Sequence, residues 1–193
     1  MDIISELNGK RILIWGYGRE GKATEHFLQR CVKPASVDIF EGKKEEIDED
    51  DYDFIIKSPG IVMNEENPKY TSETELFLQQ FRDQVIGITG TKGKSTTSAM
   101  LYTVLKACSG RPVLLLGNIG QPCLDYFEEV TEDTIIVYEM SCHQLAHTNV
   151  SPHIAIFLNL YEEHLDYYGT VEKYFEAKSH IAAYQKSGDY FFV

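Results

Sequence analysis

No stretch of this chain approaches the ~18 uninterrupted apolar residues that a membrane-crossing helix needs, so none is expected to span a bilayer. The opening MDIISELNGKRILIW lacks a basic stretch followed by an apolar core and a small-residue cleavage site, so no secretory leader is expected. Cysteines are few and scattered. Cys31, Cys108, Cys123 and Cys142 form no C-x-x-C pair, which argues against a zinc site or disulfide framework and for reduced thiols in a cytoplasmic protein. Positive charge is also short: 18 Lys and Arg against 30 Asp and Glu leave a net charge of -12, and an acidic surface repels nucleic acid. Part of that charge lies in EGKKEEIDEDDYD (41–53), which reads as a solvated loop or helix face. Repeats and low-complexity linkers are missing as well.

What is present is an alternation of short β-branched and aromatic runs with longer helical patterns, which predicts parallel sheets with crossover helices. Strands are expected at 11–15, 36–40, 53–57, 85–89, 112–116, 134–140, 153–160 and 190–193. Helices are expected up to about Arg30, over 72–82 with Thr71 or Ser72 as cap, over 94–108 and over 171–184. Each half opens with a strand and a Gly-rich turn. The fold class is therefore α/β with two tandem units, a Rossmann-like unit at 1–84 and a P-loop unit at 85–193. The apolar run YFFV at the end has no turn or cap after it, so a further C-terminal portion is expected.

The strongest local signal is GITGTKGKSTT (87–97). A strand ends there, small residues let backbone N–H groups curl around phosphate, and a helix N-terminus faces the anion. In such a loop Gly90, Thr91, Lys92 and Gly93 wrap the phosphates and Lys94 reaches the β- and γ-phosphates. Ser95 ligates Mg²⁺ and Thr96 bonds phosphate, which implies ATP and Mg²⁺ as cofactors. The general P-loop pattern places its first glycine where this chain has Ile88; what stands instead is G-x-T-G-x-x-G-K-S. This variant resembles the ATP loop of the Mur ligases and of their folylpolyglutamate synthetase relatives.

Further segments resemble that family in the same order. GNIGQP (117–122) is similar to its glycine–asparagine loop, in which Asn118 would contact substrate or phosphate. YEMSCHQL (138–145) is similar to E-[LM]-S-S-[FY]-Q-L, which places Ser141 and Gln144 at the substrate. Glu139 stands near the end of an apolar strand, where a carboxylate can serve as a hard Mg²⁺ ligand. Cys142 and His143 depart from the family pattern, at positions to which no chemistry is assigned. LNLYEEHLDYYG (158–169) resembles L-N-[IV]-x-x-[DE]-H-[LM]-D; the resemblance makes His164 a holder of a second Mg²⁺ and Asp166 its acidic partner. Taken alone, a histidine beside two acids is more often a surface residue.

Lys178 sits within an apolar stripe of Val171, Tyr174, Phe175, Ile181 and Ala182. An inward ammonium needs a partner or a changed charge state; the plain alternative is a lysine snorkelling from the stripe's edge. In the family the lysine of this segment (176–178 here) is carbamylated, which would turn Lys178 into an anion able to support Mg²⁺ and make it catalytic beside Lys94 and His164.

Gly16-Tyr17-Gly18-Arg19-Glu20-Gly21 fits G-x-G-x-x-G, with Glu41 after the second strand where a ribose-binding acid belongs. Alone this reads as an NAD site. A member of the Mur family that adds D-glutamate carries such a turn to hold a UDP group, and KSPGI (57–61) resembles its S-P-G-[IV] loop through Ser58, Pro59 and Gly60. The two turns together favour UDP. The resemblance therefore implies an ATP-dependent amide ligase of peptidoglycan precursor synthesis, joining D-glutamate to UDP-N-acetylmuramoyl-L-alanine through an acyl phosphate. The chain would be its UDP-binding domain and the first part of its ATPase domain, monomeric and inactive as a ligase alone. A ligase for another amino acid, or a non-catalytic UDP-sugar or ATP-binding module, stays open.

Overall fold

The structure, a computed structural model, describes residues 2–61 and 67–193. Strand β1 (Arg11–Trp15) is the centre of the first sheet. Its Ile12, Leu13, Ile14 and Trp15 are all buried, as a parallel strand covered on both faces requires. It pairs in parallel with β2 (Ser36–Phe40) and β3 (Phe54–Lys57), and β3 pairs with the two-residue β4 (Tyr70–Thr71), giving the order β2-β1-β3-β4. Helix α1 (Ile3–Leu7), capped by the Asp2 carboxylate, buries Ile3 and Leu7 completely. Helix α2 (Arg19–Cys31) crosses from β1 to β2 and buries Ala23, Phe27 and Leu28. Helix α3 (Glu73–Phe81) is capped by Ser72, whose hydroxyl accepts from the Glu75 N–H at 3.1 Å.

The second sheet begins at β5 (Val85–Thr89) and continues through β6 (Val113–Gly117), β7 (Ile135–Glu139), β8 (Ile154–Phe157) and β9 (Tyr190–Phe192). All neighbours are parallel, in the order β6-β7-β5-β8-β9. Between them lie α4 (Lys94–Cys108), the one-turn α5 (Cys142–Leu145), the one-turn α6 (Leu165–Tyr168) and α7 (Val171–Ala183). The two units share one hydrophobic core, in which Phe27 of α2 and Phe81 of α3 pack on Phe127 at ring distances of 4.7 and 5.0 Å. Among the described residues no helix is long and apolar enough to cross a membrane.

The α/β class with two parallel sheets is as the alternation of runs predicts. Two local expectations are corrected. The strand expected over 153–160 stops at Phe157: Leu158 N–H makes a last bond to the end of β5, at Thr89 O (3.0 Å), and Asn159 then turns to the glycine loop, its O accepting from the Thr91 N–H at 3.0 Å. Phe175 is half exposed, so the buried face of α7 is Tyr174, Ala177, Lys178 and Ile181. The acidic segment 41–53 is the solvated connection expected, with two short 3-10 turns, no buried residue, and Glu49 accepting from the Tyr70 hydroxyl at 2.7 Å.

Candidate active site

In open parallel sheets ligands gather beyond the carboxyl ends of strands whose connections diverge to opposite sides. Here β1 lies between β2 and β3, and β5 lies between β7 and β8. Both glycine turns follow these two strands.

The first turn is held by close backbone packing. Gly16 N–H donates to Phe40 O at 2.8 Å, and Ser58 Oγ donates to Gly16 O at 3.0 Å, which brings the S-P-G loop onto the glycine turn. A Cβ on Gly21 would lie 2.2 Å from Gly16 O, so α2 can start this close to β1 only with glycine there. Pro59 is half-buried; Gly60 and Glu41 are exposed, Glu41 next to the Phe40–Gly16 contact. Arg19 and Glu20 point to the second unit: Arg19 donates to Gly120 O at 2.8 Å, and Gln144 Nε2 donates to Glu20 at 2.8 Å. Gln144 also closes a capping box with Ser141 on α5. A cavity of about 100 Å³ opens here, lined by Arg19, Glu20, Glu73, Asn118, Tyr138 and Gln144. A larger groove of about 460 Å³, at Phe81, Phe127 and Val130, contains none of the motif residues.

The electrostatics of this junction are unusual. The carboxyls of Glu20 and Glu73 both line the cavity at this junction, and one oxygen of Glu20 is buried without a partner. Burial, and then the charge of Glu20, pushes Glu73 well above the ordinary carboxylate range; burial also raises Glu20, opposed by the Gln144 bond. Burial thus favours the neutral form of each carboxyl. Lys57, 3% exposed at the end of β3, is lowered by burial to about 8, with Glu20 opposing.

The second turn is built on two glycines with positive φ, Gly90 and Gly93; the latter, at φ 85°, is the N-cap of α4. No side chain caps that helix, so its first N–H groups face outward beside the exposed Ser95 and Thr96. Asn159 clamps the loop from below: its Oδ1 accepts from the Lys92 N–H and its Nδ2 donates to Lys92 O, both at 2.9 Å. The Thr91 hydroxyl accepts from the Tyr161 N–H at 2.9 Å. Lys94 Nζ folds back to donate to Gly90 O at 2.9 Å and Thr91 O at 3.0 Å. Lys178, 1% exposed, reaches the same loop, Nζ donating to Gly90 O at 2.8 Å, and burial lowers its pKa to about 8.

Glu139, fully buried at the end of β7, accepts from Asn118 Nδ2 at 2.8 Å through Oε1, while its Oε2 has no partner. His164 is partly exposed, 3.9 Å from the Glu163 carboxylate. It gathers with Cys142 and His143 rather than with Glu139. Burial, then His164 and Lys178, hold His143 below its ordinary pKa. Sequence reasoning missed Lys57, Glu73 and Asn159. Only Lys57 carries a local signal, a charge at the end of the apolar run DFIIK.

A strand, a glycine turn and an uncapped helix N-terminus, set at the switch point of a parallel sheet, define a phosphate-binding α/β protein of the P-loop kind. The model of the Mur ligase middle domain matches residues 88–193, and the chain belongs to the Mur ligase family. It is 37% identical over 170 residues to a UDP-N-acetylmuramoylalanine--D-glutamate ligase of Clostridium kluyveri, covering 84% of this chain and 37% of that protein. To the enzyme of the same name in Streptococcus pyogenes serotype M49 it is 33% identical, covering 98% of this chain and 48% of that one. The chain thus spans half or less of the length of these curated relatives. Among solved structures, the UDP-N-acetylmuramate:L-alanyl-gamma-D-glutamyl-meso-diaminopimelate ligase of Neisseria meningitides matches with a TM-score of 0.56 and 18% identity, over 94% of this chain and 70% of that one, a likeness of fold.

Proposed function

We propose that this chain is the substrate-holding and ATP-holding part of an ATP-dependent amide ligase that joins D-glutamate to UDP-N-acetylmuramoyl-L-alanine, acting in the cytoplasm. Residues 1–84 would hold the UDP group and residues 85–193 the ATP. The observation that carries this reading is the convergence of Lys94 and Lys178 on Gly90 O, beside a buried strand-end carboxylate with a free oxygen. The relatives named for the D-glutamate reaction support the choice of amino acid.

The first turn, with Ser58 against Gly16, suits a diphosphate, with Arg19 at its side. Lys94 would exchange its two carbonyl partners for the β- and γ-phosphates, a gain because carbonyl dipoles are weaker acceptors than phosphate oxygens. Glu139 Oε2, buried and unpartnered, would with the Ser95 hydroxyl offer the hard oxygens that Mg²⁺ takes. The residues fit that ion, which when bound supplies charge neutralisation between a carboxylate and a triphosphate.

In the reaction an oxygen of the alanyl carboxylate bonds to the γ-phosphorus as the β,γ-bridging bond breaks and ADP leaves. The amine nitrogen of D-glutamate then bonds to the acyl carbon, phosphate leaves, and the nitrogen loses a proton. Lys178 enters through its depressed pKa. At pH 7 a lysine with a pKa of about 8 is about one-tenth neutral, the form that attacks CO₂. The ammonium first gives up one proton, the N–C bond to CO₂ then forms as the nitrogen loses a second, and a cation beside the loop becomes an anion. Calorimetry separates the possibilities: UDP-N-acetylmuramoyl-L-alanine should bind this chain and NAD should not. Phosphate release that needs D-glutamate, in an enzyme carrying these residues, tests the ligase; release that ignores D-glutamate would refute it.

A further inference from the structure

Cys142 Sγ, a ring nitrogen of His143 and a ring nitrogen of His164 lie within 4.8 Å of one another. Of these three, the family resemblance gives a role only to His164. The fold, not chance proximity of mobile chains, brings them together. Cys142 and His143 open α5, whose start is locked by the Ser141–Gln144 capping box, and Cys142 is 3% exposed. His164 arrives from the opposite side as the N-cap of α6. At φ 56° it is the one non-glycine residue with positive φ among the described residues, a costly conformation that marks sites where a side chain must be aimed. His143 is itself oriented from outside: Tyr167 packs on its ring at 4.3 Å, and the Tyr168 hydroxyl lies 3.3 Å from its Nδ1. Outer contacts of this kind fix the rings of ligating histidines.

We propose that Cys142, His143 and His164 form a three-ligand site for a borderline-soft divalent cation, Zn²⁺ first among them. One thiolate and two imidazoles suit Zn²⁺ or Co²⁺ and are a poor match for Mg²⁺, which prefers hard oxygens. Three protein ligands leave the fourth tetrahedral position open to water or a ligand group. Tetrahedral ligation needs the donor atoms about 3.5 Å apart, and the side chain of His164, 44% exposed, has room to close the difference. The acids Glu163 and Asp166, close to His164 in sequence, offset the nearby Lys178 ammonium. The family pattern has serine and an aromatic residue where this chain has Cys142 and His143, so the site belongs to this chain and not to the pattern. It also gives chemistry to two positions that the sequence assigned none. Where His164 serves the second Mg²⁺, Zn²⁺ would withdraw it and inhibit the ligase; that clause alone rests on the proposed function.

The test is a Co²⁺ titration of the untagged chain, followed by absorbance. A single bound Co²⁺ should give the near-ultraviolet thiolate-to-cobalt charge-transfer band and the intense visible bands of four-coordinate Co²⁺, and Zn²⁺ should bleach both. Cys142→Ser should remove the charge-transfer band, and His143→Phe should weaken binding by about tenfold or more. Both substitutions install residues of the family pattern, so the fold should be kept, as circular dichroism will verify. A spectrum without the thiolate band overturns the proposal. So does a band that survives in Cys142→Ser, which would assign it to another thiol such as the exposed Cys108. The readout needs no nucleotide and no turnover, so its failure leaves the ligase reading untouched, and loss of the ligase reading leaves the metal site standing.

Discussion

The ammonium of Lys178 donates to the carbonyl of Gly90 at 2.8 Å across 88 residues of sequence, from a side chain that is 1% exposed. Lys94 donates to the same oxygen. Two cations on one carbonyl of an anion-binding loop describe a site whose positive charge awaits a polyanion, with one of the two lysines too buried to stay comfortably charged. The free oxygen of Glu139 is the complementary irregularity: negative charge, buried, without a partner. Under the proposed function, a phosphate chain and a cation would answer both features.

Lys178→Met should raise stability at neutral pH. Burial holds the folded pKa at about 8, below the 10.5 of an unperturbed lysine. Between those values the unfolded chain holds a proton that the folded chain has released, so wild-type stability rises with pH across that window. The methionine variant lacks this dependence. Its advantage, about 1 kcal/mol or more after the lost bond to Gly90 is counted, should be full below pH 8 and gone by about 10.5. Denaturant unfolding at a series of pH values measures it, and parallel curves for the two proteins would rule out a strained buried ammonium. The same variant should abolish any carbamate signal seen by carbon-13 NMR in labelled bicarbonate.

Lys94→Ala separates ligand binding from folding. Its side chain is half-buried and bonds only to loop carbonyls, so the thermal midpoint should barely move. Adenosine triphosphate affinity should fall by about 10- to 100-fold, the worth of a charged hydrogen bond to phosphate. Calorimetry on both proteins reads this directly, and equal affinities would remove Lys94 from the phosphate site.

Glu73→Gln addresses the buried carboxyl pair between the units. Burial and Glu20 raise the folded pKa of Glu73 well above its unfolded value, so the folded chain keeps a proton that the unfolded chain loses. Wild-type stability therefore falls as pH climbs above the ordinary carboxylate range. Glutamine keeps the acceptor for the Leu124 N–H, 2.9 Å away, and carries no charge to bury. The variant should gain about 1–2 kcal/mol at neutral pH and nothing below about pH 4. A gain of the same size at both ends of the range would contradict the protonation argument.

Much of this architecture is legible in the chain itself, for a physical reason. Strands such as β1 and β5 are short apolar runs because both faces are covered, and α4 runs over 94–108 as expected because its glycine start is written in the sequence. Elements of two to five residues, α1, β4, α5 and α6, leave no periodicity to read. Lys178 was readable as a charge in an apolar stripe, yet the same stripe wrongly buried Phe175, since periodicity gives a face and not its edges. Glu73, Asn159 and the approach of Cys142 and His143 to His164 were not legible, because what makes each of them special is a partner brought in by the fold.

Gly21→Ala tests whether the first turn is a matter of packing. Inside a helix alanine ordinarily gains about 1 kcal/mol over glycine. Here the new methyl would stand 2.2 Å from Gly16 O and 3.5 Å from Ile14, and the first of these contacts is to backbone that cannot swing aside. Either α2 shifts away from β1 or the turn opens, so a net loss of about 1–3 kcal/mol is expected despite the better helix former. Gly60→Ala is the matched control: nothing lies within 4 Å of its added carbon, and its backbone is not in the left-handed region. That change should be neutral or stabilise slightly through the unfolded chain. Thermal unfolding of the two variants decides the point. If Gly21→Ala is as stable as the wild type, the third glycine of the turn is not a packing requirement, and its place in the fingerprint would have to be explained by the ligand alone.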